Sequence, residues 1–456
     1  MKIPTLFRPL LALVVLASLA SCADVNENWK ADAERPDAVH NSLQKITDVI
    51  VYDIFSPPQA ARIYAYTTIA GYEAGQRGHA DYVTLAGQLN ELESLPAPPS
   101  DIEICYPLAA SVAILKTGKA LIFSEEKVDA FRDELLAEFT SVKMPEEVFD
   151  ASVAYGETVS DAVLAYADKD NYKQSRTFPK FSINSDPSRW RPTPPDYMDG
   201  IEPHWKTIRP FILDSAQQFK PVPPPPFDLT EGSEFHEDLM EVYTALDEEP
   251  DKRLQVASFW DCNPFVSHHR GHVMFATKKI SPGGHWMGIT RDVARAEGLD
   301  VMASLNAYLR VAISLADGFI SCWDEKYRSQ LVRPETLINQ YIDEEWQPAL
   351  QTPPFPEYTS GHSVISRSAA VAMTDMFGDN YRYTDSVEVD WGLKARTYDS
   401  FFAASEEAAI SRLYGGIHYA PAIWEGVKQG EQVGKLVRER LVTYKGDDAE
   451  RTVMVN

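Results

Sequence analysis

The chain has 456 residues, 44% hydrophobic and 24% charged, a globular composition with length enough for two domains or one large core. Its formal charge of −24 at pH 7 argues against nucleic acid or an anionic membrane surface as a partner, because both reward basic faces. Any cationic cluster is therefore set against the average field of the molecule.

Lys2 and Arg8 precede an apolar run over residues 10–20 that is too short to span a bilayer. Leu19-Ala20-Ser21-Cys22 resembles a bacterial lipoprotein cleavage box, in which Cys22 is lipidated and becomes the mature N-terminus. The expectation is a signal peptide over 1–21 and a polar tether over 22–38. It implies an exported protein, lipid-anchored at the cell envelope on the periplasmic or outer-membrane face, with membrane contact through Cys22 only. Cys105, Cys262 and Cys322 remain; three cysteines allow at most one bridge, and none has the paired spacing of a zinc site.

Apolar residues spaced by three and four predict helices over 62–76, 104–123, 125–139 and 145–168, the last started by Pro145 with Glu146 and Glu147. Prolines crowd 171–228, including Pro192, Pro194, Pro195 and the run 223–226. A long ordered wrap pinned by Trp190, Trp205 and Phe211 fits this segment better than a linker. These elements make up an N-terminal helical region over 39–230. Helices resume over 233–246 and 252–260, and 262–286 reads as irregular. A long helix follows over 299–327, with Arg310 and Asp317 marking it as buried and amphipathic rather than membrane-spanning. The segment 340–356 reads as a proline-punctuated loop, 361–377 as helix, 381–390 as a short hairpin arm, and 405–415 and 422–441 as helices. This C-terminal region is bounded at 231–445. Strand signal is scarce, so the class is all-α, built of helical layers.

The last third of the chain carries the chemistry. Lys326-x6-Arg333-Pro334, Ser360-Gly361-His362 and Ser411-Arg412-x5-His418 supply three cations, two imidazoles, a hydroxyl and a glycine amide. Lysine is a compact charge and arginine a planar fork matched to two oxyanion oxygens. Ser360-Gly361-His362 lies where loop becomes helix, so N–H groups and the helix dipole favour an anion there. Gly361 admits its close approach. Gly415-Gly416 break the helix between Arg412 and His418, allowing both to face one pocket. The set suits a tetrahedral oxyanion whose central atom one histidine touches while the other moves a proton.

These three motifs resemble the signature of the type 2 phosphatidic acid phosphatase and vanadium haloperoxidase superfamily. Pro203-His204-Trp205, Arg209-Pro210-Phe211, Phe259-Trp260-Asp261, Pro282-Gly283-Gly284-His285-Trp286 and Pro356-Glu357-Tyr358 extend the likeness to its soluble haloperoxidase branch. The resemblance implies an all-helical, vanadium chloroperoxidase-like fold on two four-helix bundles. It implies that Lys326, Arg333, Ser360, Gly361 and Arg412 hold the oxygens of vanadate or phosphate. His418 would bind vanadium or attack phosphorus, and His362 would be the acid–base group. By analogy, Asp261 would pair with one of the arginines. Thr359 replaces the proline common before the serine. Phosphatases of the family often carry an aspartate four residues after the last histidine, where this chain has Ala422; His418 would then lack an activating carboxylate.

The leading expectation is a vanadate-dependent haloperoxidase acting on hydrogen peroxide and halide, iodide or bromide favoured, with Lys326 polarising the peroxide and His362 taking its proton. The alternative is an acid phosphatase acting on a soluble phosphomonoester, with His418 as nucleophile and His362 as general acid. A third reading makes His268, His269 and His272 the metal ligands of a non-enzymatic lipoprotein, against the plainer view that they line the pocket mouth. Phe355, Tyr358, Phe265 and His269 are the candidates for setting halide choice.

Overall fold

Proline in the first turn and serine or aspartate at the N-cap start most of the helices. The computed structural model describes residues 25–445, so the expected signal peptide and Cys22 lie outside the described residues. The helices are α1 Trp29–Ala33, α2 Pro36–Asp53, α3 Pro57–Gln76, α4 Tyr106–Leu121, α5 Glu125–Ser141, α6 Glu146–Ala167, α7 Tyr172–Ser175, α8 Glu234–Tyr243 and α9 Pro250–Phe259. They continue with α10 Pro282–Ala296, α11 Val301–Ser329, α12 Pro334–Tyr341, α13 Gly361–Phe377, α14 Phe401–Tyr414 and α15 Ala420–Arg440. Two small antiparallel pairs interrupt them: β1 Val266–Arg270 with β2 Val273–Thr277, and β3 Tyr383–Asp385 with β4 Arg396–Tyr398. The fold is all-α, as the periodicity predicts.

Three elements depart from the sequence expectation. The tether ends early, because Trp29 and Ala33 are buried and Asn26 N–H donates to Lys143 O at 2.9 Å. Helix α2 is new; Val39, Leu43, Ile46 and Ile50 recur every three or four residues and are buried, following Pro36 in the first turn. The stretch 262–286, expected as irregular, holds the β1–β2 hairpin and the start of α10, which Ser281 caps by accepting from Gly284 N–H.

Helices α2, α3, α4 and α6 pack as one bundle, and α11, α13, α14 and α15 as a second. The 29-residue α11, about 43 Å long, packs against both α3 and α13. One buried apolar cluster consequently runs from Trp29 to Leu441. On α15, Gly430 brings the backbone against α13, since a Cβ there would lie 2.1 Å from Val364 O. This close crossing fixes the start of α13, where Ser360, Gly361 and His362 stand.

The proline-rich wrap is ordered, as expected. Trp190, Trp205 and Phe211 are buried, and Asp317 in the middle of α11 accepts from the N–H groups of Phe211, Ile212 and Leu213 at 2.7, 2.7 and 2.9 Å. Further along, Tyr327 OH and Trp323 Nε1 both donate to Ile201 O. Asp317→Ala strands three buried N–H groups at about 1–3 kcal/mol each, so we predict a loss of about 3 kcal/mol or more. The urea unfolding midpoint measures it, and an unchanged midpoint would mean that Asp317 does not pin the wrap.

Candidate active site

Helix α11 ends at Ser329 with Gln330 in the left-handed region, and Arg333 stands extended before Pro334 at the start of α12. The chain therefore bends between Lys326 and Arg333, as Pro334 predicts. Lys326 is fully buried and donates to Pro356 O (3.0 Å) and Glu357 O (2.9 Å); burial pulls its pKa down to about 7. Arg333, also fully buried, donates Nε to Phe355 O (2.9 Å) and Nη1 to Ile417 O (2.8 Å), and burial lowers its pKa to about 10. Its Nη2 is buried without a partner. Arg412 donates from Nη2 to Trp260 O at 2.7 Å and from Nε to Ser411 Oγ at 3.0 Å. Among the described residues, none of these three cations stands within ion-pair distance of a carboxylate.

Gly361, His362, Arg412 and His418 line a cavity of about 190 Å³. Ser360 caps α13, accepting from Ser363 N–H at 3.3 Å, which leaves its own proton to donate. A Cβ at Gly361 would meet only Trp323, at an ordinary 3.7 Å, so the protein leaves room there that alanine would fill. His362 Nε2 is buried and unpartnered. Burial, then the charge of Arg412, holds the His362 pKa well below its ordinary value, so the ring is neutral. The unpaired cations, the orphaned Arg333 Nη2 and His362 Nε2, and the space at Gly361 together fit a tetrahedral oxyanion.

His418 is held from both sides. Its Nδ1 lies 2.7 Å from Glu357 Oε1, and its Nε2 lies 3.1 Å from Arg333 Nη1. These partners assign the proton to Nδ1 and the lone pair to Nε2. Burial, followed by the charge of Arg333, keeps His418 neutral, with a pKa well below the usual range. Burial raises the Glu357 carboxyl to about 7, and its Oε1 also accepts Tyr419 N–H at 3.1 Å. Glu357 is the functional residue whose role sequence reasoning missed. Position 422 is indeed alanine, but the carboxylate beside His418 comes from 61 residues upstream. Pro356-Glu357-Tyr358 carried the only signal, as a segment of family likeness.

The other expected residues divide. Asp261 forms an ion pair with Lys279 Nζ at 2.6 Å rather than with an arginine, because the Arg412 fork is turned to the Trp260 carbonyl. Phe355 and Phe265 line the cavity. Tyr358 does not; its hydroxyl donates to Val222 O at 2.6 Å in a separate apolar cluster. His269 pairs with Asp196 at 2.5 Å and is no part of the cavity lining. His268 and His269 are neighbours on β1 and so point to opposite faces, while His272 is exposed at the turn. Among the described residues the hairpin histidines therefore form no shared ligand set.

The profile of the VCPO second helical-bundle domain matches residues 306–446. The chain is similar to a bacterial vanadium-dependent iodoperoxidase of known structure, with 49% identity and a TM-score of 0.85 over 90% of this chain and 97% of that one. It also shares the fold of a bacterial vanadium-dependent chloroperoxidase. The holo form aligns at 18% identity and TM-score 0.63 over 85% and 93% of the two chains, and the apo form at 17% and 0.61 over 83% and 93%. Comparison with curated protein sequences gives no match.

Phosphate serves as a stable tetrahedral probe of the pocket. At a hundred times its dissociation constant it stabilises the wild type by about 2.7 kcal/mol. We predict that Gly361→Ala keeps or raises baseline stability by about 0.4–1 kcal/mol and abolishes that gain. With sulfate, a tetrahedral probe whose charge stays constant across this range, the wild-type gain is largest below pH 7. It falls as pH rises, because Lys326 of the anion-free protein loses its proton near 7 and must regain it to bind. Thermal unfolding on either side of neutrality reads both effects. A Gly361→Ala protein still stabilised by phosphate would place the anion elsewhere.

Proposed function

The chain belongs to the vanadium-dependent haloperoxidases, and from that membership and the geometry of the pocket we propose that it oxidises iodide with hydrogen peroxide at a vanadate held beside His418. One observation carries the residue assignment: three buried cations, with no counter-carboxylate among the described residues, lie around a neutral histidine whose Nε2 lone pair faces Arg333 Nη1 at 3.1 Å. Lys326, Arg333, Ser360, Gly361 and Arg412 would hold the anion's oxygens, and His418 Nε2 would be the nitrogen donor. Bound vanadate supplies a Lewis-acidic centre that activates peroxide at constant oxidation state.

The chain's own residues do the rest. Glu357 fixes the tautomer and orientation of His418. His362 Nε2 is placed to take the proton of incoming peroxide and to return one later. An anion beside it offsets the charges of Arg412 and Lys326, which brings its basicity back towards the ordinary range. Lys326 directs a positive charge into a dry site, where it is worth more than in water. Phe265, Phe319, Trp323 and Phe355, with the prolines and isoleucines beside them, make the cavity wall largely apolar, which excludes water and suits a large, weakly hydrated anion. Iodide is also the halide that demands least oxidising power, and the relative at 49% identity is an iodoperoxidase.

The Glu357–His418 pair supports a second reading. A carboxylate-oriented histidine is also what a phosphoryl-transfer nucleophile needs, so Ala422 no longer argues against phosphatase action. Purified protein with and without orthovanadate is assayed for triiodide formation and for p-nitrophenyl phosphate hydrolysis. The expected result is triiodide formation that requires vanadate and peroxide. Phosphate release without halide oxidation would overturn the haloperoxidase assignment. His418→Ala should abolish activity, and Glu357→Gln should weaken vanadate affinity about 10–100-fold while leaving Gly361 and Arg412 in place.

A further inference from the structure

Behind the anion pocket, three distant segments bring a thiol, an imidazole and a carboxylate together. Cys262 follows α9, His285 lies in the first turn of α10, and Glu388 sits in the 3-10 turn Val387–Trp391 between β3 and β4. All three are buried, with exposures of 1%, 0% and 2%. Cys262 Sγ is 3.4 Å from His285 Nδ1, His285 Nδ1 is 3.3 Å from Glu388 Oε1, and Sγ is 3.8 Å from the same Oε1. We propose that Cys262, His285 and Glu388 form a structural zinc site that fixes the wall of the anion pocket.

The triangle has the dimensions of a zinc face. Bonds of about 2.3 Å to sulfur, 2.0–2.1 Å to nitrogen and 2.0–2.2 Å to oxygen, set tetrahedrally, give ligand–ligand edges of about 3.3–3.6 Å. The observed edges match to within a few tenths of an ångström. The imidazole is also oriented for the task. His285 Nε2 lies 2.7 Å from Asp385 Oδ2, whose other oxygen accepts Val387 N–H at 3.0 Å. A carboxylate on Nε2 places the proton there and leaves Nδ1 to face the thiol and Glu388, the outer-shell arrangement of zinc-bound histidines. Borderline zinc accepts this mixed sulfur, nitrogen and oxygen set, whereas hard magnesium or calcium would not select a thiolate.

Charge and proton balance agree. Without metal, an imidazolium between two carboxylates and a neutral thiol carries one net negative charge. Binding Zn²⁺ releases one proton from Cys262 Sγ and one from His285 Nδ1, and the net charge is unchanged. The three protein ligands supply three corners of the tetrahedron. The consequence for the anion pocket runs through Trp260. Its ring stacks on His285 with centroids 4.6 Å apart, and its carbonyl holds Arg412. The role is one of positioning, and it does not depend on which halide is oxidised.

The test uses the full chain purified without vanadate or chelators, so that it stands apart from halide chemistry. Elemental analysis should find zinc close to one per chain, and cobalt(II) reconstitution should give a thiolate-to-cobalt charge-transfer absorption. Folded Cys262→Ser and Glu388→Gln variants should lose the zinc, and Cys262→Ser should also lose the absorption. Chelation should lower the unfolding temperature of the wild type and leave that of Glu388→Gln unmoved. A folded wild type that binds neither zinc nor cobalt would overturn the proposal, as would zinc retained undiminished by a folded protein carrying both Cys262→Ser and Glu388→Gln. Should a variant fail to fold, the wild-type zinc content and cobalt spectrum decide alone.

Discussion

Three buried cationic side chains with no carboxylate partner among the described residues are the constraint around which this chain is arranged. Each costs several kcal/mol to desolvate, and the penalty shows in the lowered pKa values of Lys326, Arg333 and Arg412. Backbone carbonyls offset part of it: Phe355, Pro356 and Glu357 from one loop, Ile417 from the turn before α15, and Trp260 from the end of α9. The segments between helices thus supply carbonyl acceptors to the buried cations as well as connections. The remaining cost is stored for an anion, so the pocket is less stable alone than with its ligand.

A cradle of this kind needs rigid support from several directions. The long buried α11 provides it by packing into both bundles while carrying Lys326 in its last turn. Close approach of α15 to α13 at Gly430 sets the start of α13. The wrap, tied to Asp317, Trp323 and Tyr327, covers α11 from the outside. The family likeness at 49% identity covers nearly the whole relative, which fits a site that depends on the whole framework.

Two histidines in this small region show how neighbours set chemistry. His418 faces Glu357 but is surrounded by Arg333, Lys326 and Arg412; burial and those cations keep it neutral. Burial also works against charge on His285, yet the Asp385 carboxylate on its Nε2 outweighs it and holds its pKa well above the ordinary value when no metal is bound. The same side chain, equally buried, is neutral in one place and cationic in the other.

Local physics was legible in the amino-acid order. Apolar periodicity predicted most of the long helices to within a few residues, Pro334 predicted the bend after α11, and the three motifs named the residues proposed to hold the anion, of which Gly361, His362, Arg412 and His418 line one cavity. These features depend on contacts within a turn or two, or on types that few other chemistries require. Pairings across many residues were decided only by the tertiary structure. Glu357 reaches His418 from 61 positions away, and Cys262 meets His285 and Glu388 across 23 and 126. Asp261 chose Lys279 over an arginine. No periodicity links such residues, because which ones meet depends on how helices cross and where loops turn, and side-chain packing at those crossings fixes both.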